Sequence, residues 1–254
     1  MSVLMLSGIR DVLIISTPRD LPRFEELFGD GSKLGMSFSY AVQTAPRGIA
    51  DAFLVGEDFV ADAPVTLVLG DNILFGGNLT ARLMAAGEQT TGATVFAYPV
   101  SDPERYGVVE VDASGNALSI EEKLVNPKSN LVVTGLYYYD NDIVDIAKSI
   151  KPSARGELEI TDVNNIYLER GQLLAEMLGR GIAWLDAGTE QSLLEAANFV
   201  STIERRQGLR IACLEEIAWR KGWINEEEML ALAHGLAGSI YGDYISQLLK
   251  DASD

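Results

Sequence analysis

The apolar positions of this chain change their spacing three times, and each change predicts a different kind of element. Val12-Leu13-Ile14-Ile15-Ser16 is a short β-rich run, and Pro22 to Phe28 follows with helical spacing. Ser37 to Val42 alternates like a strand and leads through Pro46-Arg47-Gly48 into a helix predicted over Ile49 to Phe59. Val65-Thr66-Leu67-Val68-Leu69 is uninterrupted, which predicts the covered interior of a parallel sheet. A helix around Leu79 to Ala86 and a strand over Ala93 to Tyr98 come next. Strand, helix and strand at this rhythm predict βαβ units, hence an α/β domain with a doubly wound, mostly parallel sheet.

From Tyr106 to Tyr139 the period shortens. Gly107 to Val111, Ala117 to Glu121 and Val132 to Tyr138 read as strands, separated by Asp112-Ala113-Ser114-Gly115-Asn116 and Asn126-Pro127-Lys128-Ser129-Asn130. They predict a small β insertion over about residues 100–140. Beyond Glu190 the spacing is helical to the end: Gln191 to Arg206, Glu215 to Lys221, Asn225 to His234 and Tyr241 to Lys250. The expected division is a core over 1–189 and a helical tail over 190–254.

Composition narrows the partners. The 254 residues carry 20 basic and 37 acidic side chains, a net charge of −17. Nucleic acid and anionic membrane are disfavoured, because no basic excess exists to replace their counterions. No stretch has the length of a membrane span. The lone Cys213 cannot close an internal disulfide and fits a reducing compartment, so a cytoplasmic location is expected.

The candidate chemistry begins at Gly70-Asp71-Asn72. Ligands of α/β sheets gather beyond the carboxyl ends of strands, where Asp71 falls. Asp186 stands in the same relation to Ala183-Trp184-Leu185 and is a partner for gripping one divalent cation. Further clusters are Ser101-Asp102-Pro103-Glu104-Arg105-Tyr106-Gly107, Glu121-Glu122-Lys123 and the run from Ser153 to Asp162. The last holds Arg155 and a helix N-cap expected at Thr161 or Asp162. Taken singly, each has a structural reading: a solvated face for Glu121-Glu122-Lys123, and a surface ion pair worth at most ~1 kcal/mol for Arg155. His234 reads as a helix-terminal residue beside Gly235, Cys213 as packing, and the three tryptophans as core or interface anchors.

In order, these segments carry more than any one of them. Leu69-Gly70-Asp71-Asn72, Asp102-Pro103-Glu104-Arg105-Tyr106-Gly107-Val108-Val109-Glu110, Glu121-Glu122-Lys123, Thr134-Gly135-Leu136-Tyr137, Lys151 to Asp162 and Ala183-Trp184-Leu185-Asp186 together resemble the glucose-1-phosphate thymidylyltransferases. The resemblance implies a Rossmann-like nucleotidyltransferase fold, and the in-line attack of glucose 1-phosphate on the α-phosphorus of dTTP to give dTDP-glucose and pyrophosphate. It implies Mg²⁺ held by Asp71 and Asp186, which repel by roughly 4 kcal/mol when ~4 Å apart and bare. It further implies base contacts at Gln43 and the backbone of Gly48, and sugar contacts at Gly107, Glu122, Val133 and Tyr137. Lys123 and Arg155 would be cations on the sugar phosphate, and the chain would form a homo-oligomer, a tetramer by family. A uridylyl- or cytidylyltransferase is the enzymatic runner-up, disfavoured by Gln43 and the Ser153 to Asp162 run.

Three departures accompany the resemblance. Leu124 replaces the family's proline after Lys123, and Ala187 and Glu190 replace its Thr and His near Asp186. The family's glycine-rich Gly-Gly-X-Gly-Thr-Arg-Leu turn, which cradles a triphosphate, has no counterpart in the 254 residues. The expectation is therefore a fragment or a late-assigned start. Its sheet would lack a central first strand, and the chain would not turn over by itself. A non-catalytic sugar-nucleotide-binding or assembly protein is the alternative from another class.

Overall fold

The computed structural model describes residues 1–112, 115–123 and 125–251. Leu124 and the Ala113-Ser114 part of the expected turn lie outside the described residues. Two compact units account for the rest, one formed by residues 1–42 with 202–254 and the other by 43–201.

The first unit opens with helix α1 (Ser2–Leu6), which buries Val3, Leu4 and Met5. Strand β1 (Asp11–Ser16), helix α2 (Leu21–Phe28) and strand β2 (Ser37–Val42) follow. The two strands pair in parallel, Asp11 opposite Ser37 through Ser16 opposite Val42, so this βαβ unit was legible in the pattern. Pro22 stands in the first turn of α2, where its missing N–H costs nothing.

In the second unit the helix expected over Ile49 to Phe59 is broken. It forms α3 (Asp51–Val55) and α4 (Glu57–Val60), with Gly56 capping one and starting the other. Then come β3 (Val65–Val68), β4 (Asn72–Gly76), α5 (Leu79–Gly87), β5 (Ala93–Pro99), β6 (Gly107–Val111), β7 (Ala117–Glu122) and β8 (Leu131–Tyr139). The unit continues through α6 (Ile143–Ser149), α7 (Ile160–Glu169), β9 (Leu173–Met177), β10 (Ile182–Asp186) and α8 (Glu190–Gln207), whose last turns belong to the first unit. The chain ends with α9 (Leu214–Arg220), α10 (Glu226–Gly235) and α11 (Ile240–Asp251). Asn225 and Glu228 close a reciprocal capping box on α10, and His234 lies in its last turn.

The α/β class stands, but strand direction differs from expectation. β3 runs antiparallel to β8, with Val65 opposite Tyr139, and its residues are only half-buried. β5 and β6 are also antiparallel to β8, and β7 is antiparallel to its hairpin partner β6, leaving β5–β9 as the parallel ladder of this sheet. The reason is β8, whose residues after Leu131 are all buried and which takes antiparallel neighbours on both edges. An apolar run reports cover on both faces and says nothing of the neighbour's direction. β4 and β10 form a separate antiparallel pair with Asn72 opposite Asp186. The strands β4 and β9 and helix α6 are elements the pattern did not predict.

The core of this unit gathers Phe53 with Val95, Val109, Ile120, Tyr139, Ile143, Val163 and Tyr167. Tyr139 is its centre. It meets Phe53 edge-on at 5.5 Å, stacks on Tyr167 at 5.5 Å, and donates to Asn164 at 2.6 Å. Such satisfied polar tips let aromatic bulk be buried without an orphaned hydroxyl.

Candidate active site

Three strand ends build one cavity of about 340 Å³ within the second unit. The turn between β3 and β4 places Asp71 on its rim, with Leu69 N–H donating to Gly135 O at 2.8 Å. The end of β10 places Asp186 beside it, through the pairing of Asn72 with Asp186. A Cβ built on Gly188 would lie 3.0 Å from Asp186 Oδ1 and 3.4 Å from Asp71 Oδ2, so both carboxylates face one point.

Each carboxylate is held. Asn72 Nδ2 donates to Asp71 Oδ1 at 2.8 Å. Tyr106 OH donates to Asp186 Oδ2 at 3.1 Å, and Gly188 N–H to Asp186 Oδ1 at 2.9 Å. Arg105 reaches Asp186 Oδ2 at 3.7 Å while bonding Asp102 at 3.1 Å. Burial, then the charge of Asp186, pushes the Tyr106 phenol up to about 12. It therefore stays a donor at any physiological pH.

Opposite the carboxylates lies the insertion. Gly107 pairs with Glu122 across β6 and β7, and a Cβ on Gly107 would come within 3.1 Å of Glu122 Oε2. Thr161 Oγ1 donates to the same oxygen at 2.7 Å. This corrects the cap expectation. Helix α7 begins after Glu159, which has extended backbone, and Thr161 sits inside the first turn with its hydroxyl spent on Glu122. Asp162 is also inside that turn, where its charge faces the helix N-terminus. Lys123 lines the cavity at φ +48°, its Nζ 3.6 Å from Glu122 Oε1. Val133 and Tyr137 complete the apolar wall, and burial raises the Tyr137 phenol well above its ordinary range.

Not every expected residue joins them. Arg155 is exposed and forked onto Glu159 at 2.9 Å and 3.0 Å, and it does not line the cavity. Gln43 and Gly48 form a second cluster. Gln43 Nε2 donates to the buried Asp51 at 2.8 Å and weakly to Gly48 O at 3.4 Å, while Arg47 pairs with Asp51 at 3.1 Å. Gly48 has φ +102°, and a Cβ there would fall 2.3 Å from Leu158 O, so only glycine fits.

The sequence reading singled out the stretches that hold Asn72, Arg105, Tyr106 and Thr161 without naming those residues for the site, and it gave Gly135 and Trp184 no role there. Trp184 offered no signal beyond its apolar strand.

Among the described residues no group of three or more His, Cys, Asp or Glu side chains converges. Two carboxylates facing one point suit a hard divalent cation that keeps most of its shell for water and phosphate.

A family model described as "Nucleotidyl transferase" matches residues 1–203. A glucose-1-phosphate thymidylyltransferase of Neisseria meningitidis is 57% identical over 250 residues, covering 98% of this chain and 87% of the relative. One from Mycobacterium tuberculosis is 52% identical over 250 residues, covering 98% and 86%. Among solved structures, a Bacillus anthracis protein described as a glucose-1-phosphate thymidylyltransferase superposes with TM-score 0.71 at 39% identity, covering 78% of this chain and 79% of that one. A UDP-glucose pyrophosphorylase at 22% identity and TM-score 0.68 shares the fold. No helix among the described residues is long and apolar enough to cross a membrane. With sequence identity above one half and nearly the whole chain aligned, this protein belongs to the glucose-1-phosphate thymidylyltransferase family of nucleotidyl transferases.

Proposed function

We propose that the site serves the synthesis of dTDP-glucose from glucose 1-phosphate and dTTP. A phosphate oxygen of the sugar ester bonds to the α-phosphorus, the bond from that phosphorus to the bridging oxygen breaks, and pyrophosphate leaves with its electrons. The convergence of Asp71 and Asp186 carries this reading. They would hold Mg²⁺, which supplies charge neutralisation for the phosphates when bound. Glu122, oriented by Thr161, accepts from glucose hydroxyls beside Gly107, Val133 and Tyr137. Lys123 meets the sugar phosphate, and Arg155 joins it by exchanging Glu159 for a phosphate in the same forked geometry. Because Gln43 Nε2 is spent on Asp51, its Oε1 is left to accept from the imino N–H of thymine above Gly48.

A homo-oligomer, a tetramer by family resemblance, is part of the proposal, supported by exposed Leu27, Leu193, Leu194 and Ile240. So is a cytoplasmic location, which the single, buried Cys213 suits.

A binding or assembly role is the second reading, favoured by the sugar-side lining of the cavity, where Gly107, Glu122, Lys123 and Tyr137 come together. Calorimetry with dTDP-glucose, paired with a pyrophosphate-release assay using dTTP, UTP and CTP, separates the two. Binding with release selective for dTTP supports the transferase. Binding without release supports the second reading, and no binding of any sugar nucleotide by folded protein overturns both.

A further inference from the structure

Asp71 and Asp186 are joined by a continuous line of side chains that the reaction does not itself require. Asn72 Oδ1 accepts two hydrogen bonds, from Gly135 N–H on β8 at 3.0 Å and from Trp184 Nε1 on β10 at 2.6 Å. With both donors on its oxygen, the amide has one orientation, and Nδ2 is turned toward Asp71 Oδ1. The indole of Trp184 then meets the Tyr106 ring edge-on at 5.3 Å, and Tyr106 OH donates to Asp186. The Tyr98 ring also meets the indole edge-on, at 5.8 Å. The line therefore runs Asp71, Asn72, Trp184, Tyr106, Asp186.

The geometry leaves little slack. Trp184 is 8% exposed, and a Cβ on Gly135 would sit 2.6 Å from Asn72 Nδ2, so β8 presses directly on the amide. A carboxylate on an exposed turn would otherwise sample several rotamers. Here its Oδ1 accepts from Asn72 Nδ2, and the Asn72 amide is itself held by donors from β8 and β10.

We infer that Asn72 and Trp184 are positioning residues: a rigid bridge that sets the spacing of the two carboxylates for one divalent cation. The inference rests on the reading of Asp71 and Asp186 as cation ligands. Groups that orient ligating carboxylates typically change metal affinity by roughly 10–100-fold when removed. The indole N–H of Trp184 acts through Asn72, so the effect of removing that donor is contained within that of Asn72.

The test titrates Mn²⁺ alone into the 254-residue protein and follows free Mn²⁺ by electron paramagnetic resonance, so no turnover is needed. Asp71→Asn and Asp186→Asn test the underlying reading: each abolishes Mn²⁺ binding if that reading is right. Asn72→Ala is expected to weaken Mn²⁺ about 10–100-fold and Trp184→Phe, which keeps the ring and loses the donor, about tenfold. The double variant is expected to bind no more weakly than Asn72→Ala, as residues acting in series do. Circular dichroism checks that each variant is folded, and Trp184→Phe stands in if Asn72→Ala is not. Loss of binding in the aspartate variants with unchanged affinity in folded Asn72→Ala or Trp184→Phe overturns the bridge alone. Additive losses in the double variant overturn the series arrangement. Mn²⁺ binding that ignores the aspartate variants overturns the cation reading itself, and the bridge with it.

Discussion

The carboxylates of this site and the cations proposed to serve it are held in opposite ways. Asp71 and Asp186 stand at the ends of paired strands, with donors supplied by Asn72, Tyr106 and a backbone amide. Lys123 and Arg155 sit in loops, about half-exposed, and pair with neighbouring glutamates. A group that must fix a cation gains from preorganisation, since every rotamer lost in advance is not lost on binding. A group that greets an arriving phosphate gains from an ion pair weak enough to exchange. Exposed pairs of this kind are worth about 0–1 kcal/mol, so a phosphate can displace Glu159 from Arg155 at small cost.

The largest effect that would sharpen this contrast is expected at the carboxylates. Asp186→Asn removes one proposed cation ligand and should lower nucleotidyl transfer or cation binding by at least about 10²-fold. The same variant should leave the urea midpoint within about 0.5 kcal/mol of equivalent stability. Next come the glycines that set the two clusters. Gly135→Ala drives a methyl into the Asn72 amide, and Gly48→Ala drives one into Leu158 O at a left-handed backbone. Each should destabilise by about 1–3 kcal/mol in chemical denaturation, and equal stability in Gly135→Ala would show that β8 does not press on the amide.

An intermediate effect is expected from alkali. Tyr106, Tyr137 and Tyr139 have folded-state pKa values raised above 10, burial being the largest cause in each. Their neutral forms are favoured in the folded protein. Stability is thus fully present below pH 10 and falls as pH rises through the window from about 10 to about 12 set by Tyr106. Tyrosinate absorbance at 295 nm should rise together with unfolding. A Tyr106 phenol titrating near 10 in the intact protein would contradict its packing against Trp184.

The smallest effect probes the cationic side. Lys123→Gly relieves a left-handed residue at φ +48°, so stability should hold or rise by up to about 1 kcal/mol. Glucose 1-phosphate binding measured by calorimetry should nevertheless weaken. A stability loss in that variant would mean that Lys123 belongs to the rigid half.

How much was legible follows the same line. β1, β2, β5, β6 and β7 and the tail helices could be placed because apolar spacing reports which face is covered. Asp71 and Asp186 were found from strand ends alone. β4 was hidden because Asn72-Ile73-Leu74-Phe75-Gly76 follows its functional turn without a break. The split at Gly56 was hidden because helical spacing continues across it. Thr161 looked like a cap because Ser, Thr and Asp favour that place, and a partner 39 residues away took its hydroxyl instead.

The sequence by itself determined the class of fold, the family, and which two aspartates stand at the strand ends around one cavity, because these depend on local spacing and on motifs that stay contiguous. Tertiary structure alone decided the direction of β3, the service of Asn72 and Trp184 to Asp71, and the pairing of Arg155 with Glu159. Those outcomes depend on which strand arrives beside which, and on contacts between residues up to 112 apart, as for Trp184 and Asn72. No pattern along one segment encodes the partner that another segment brings.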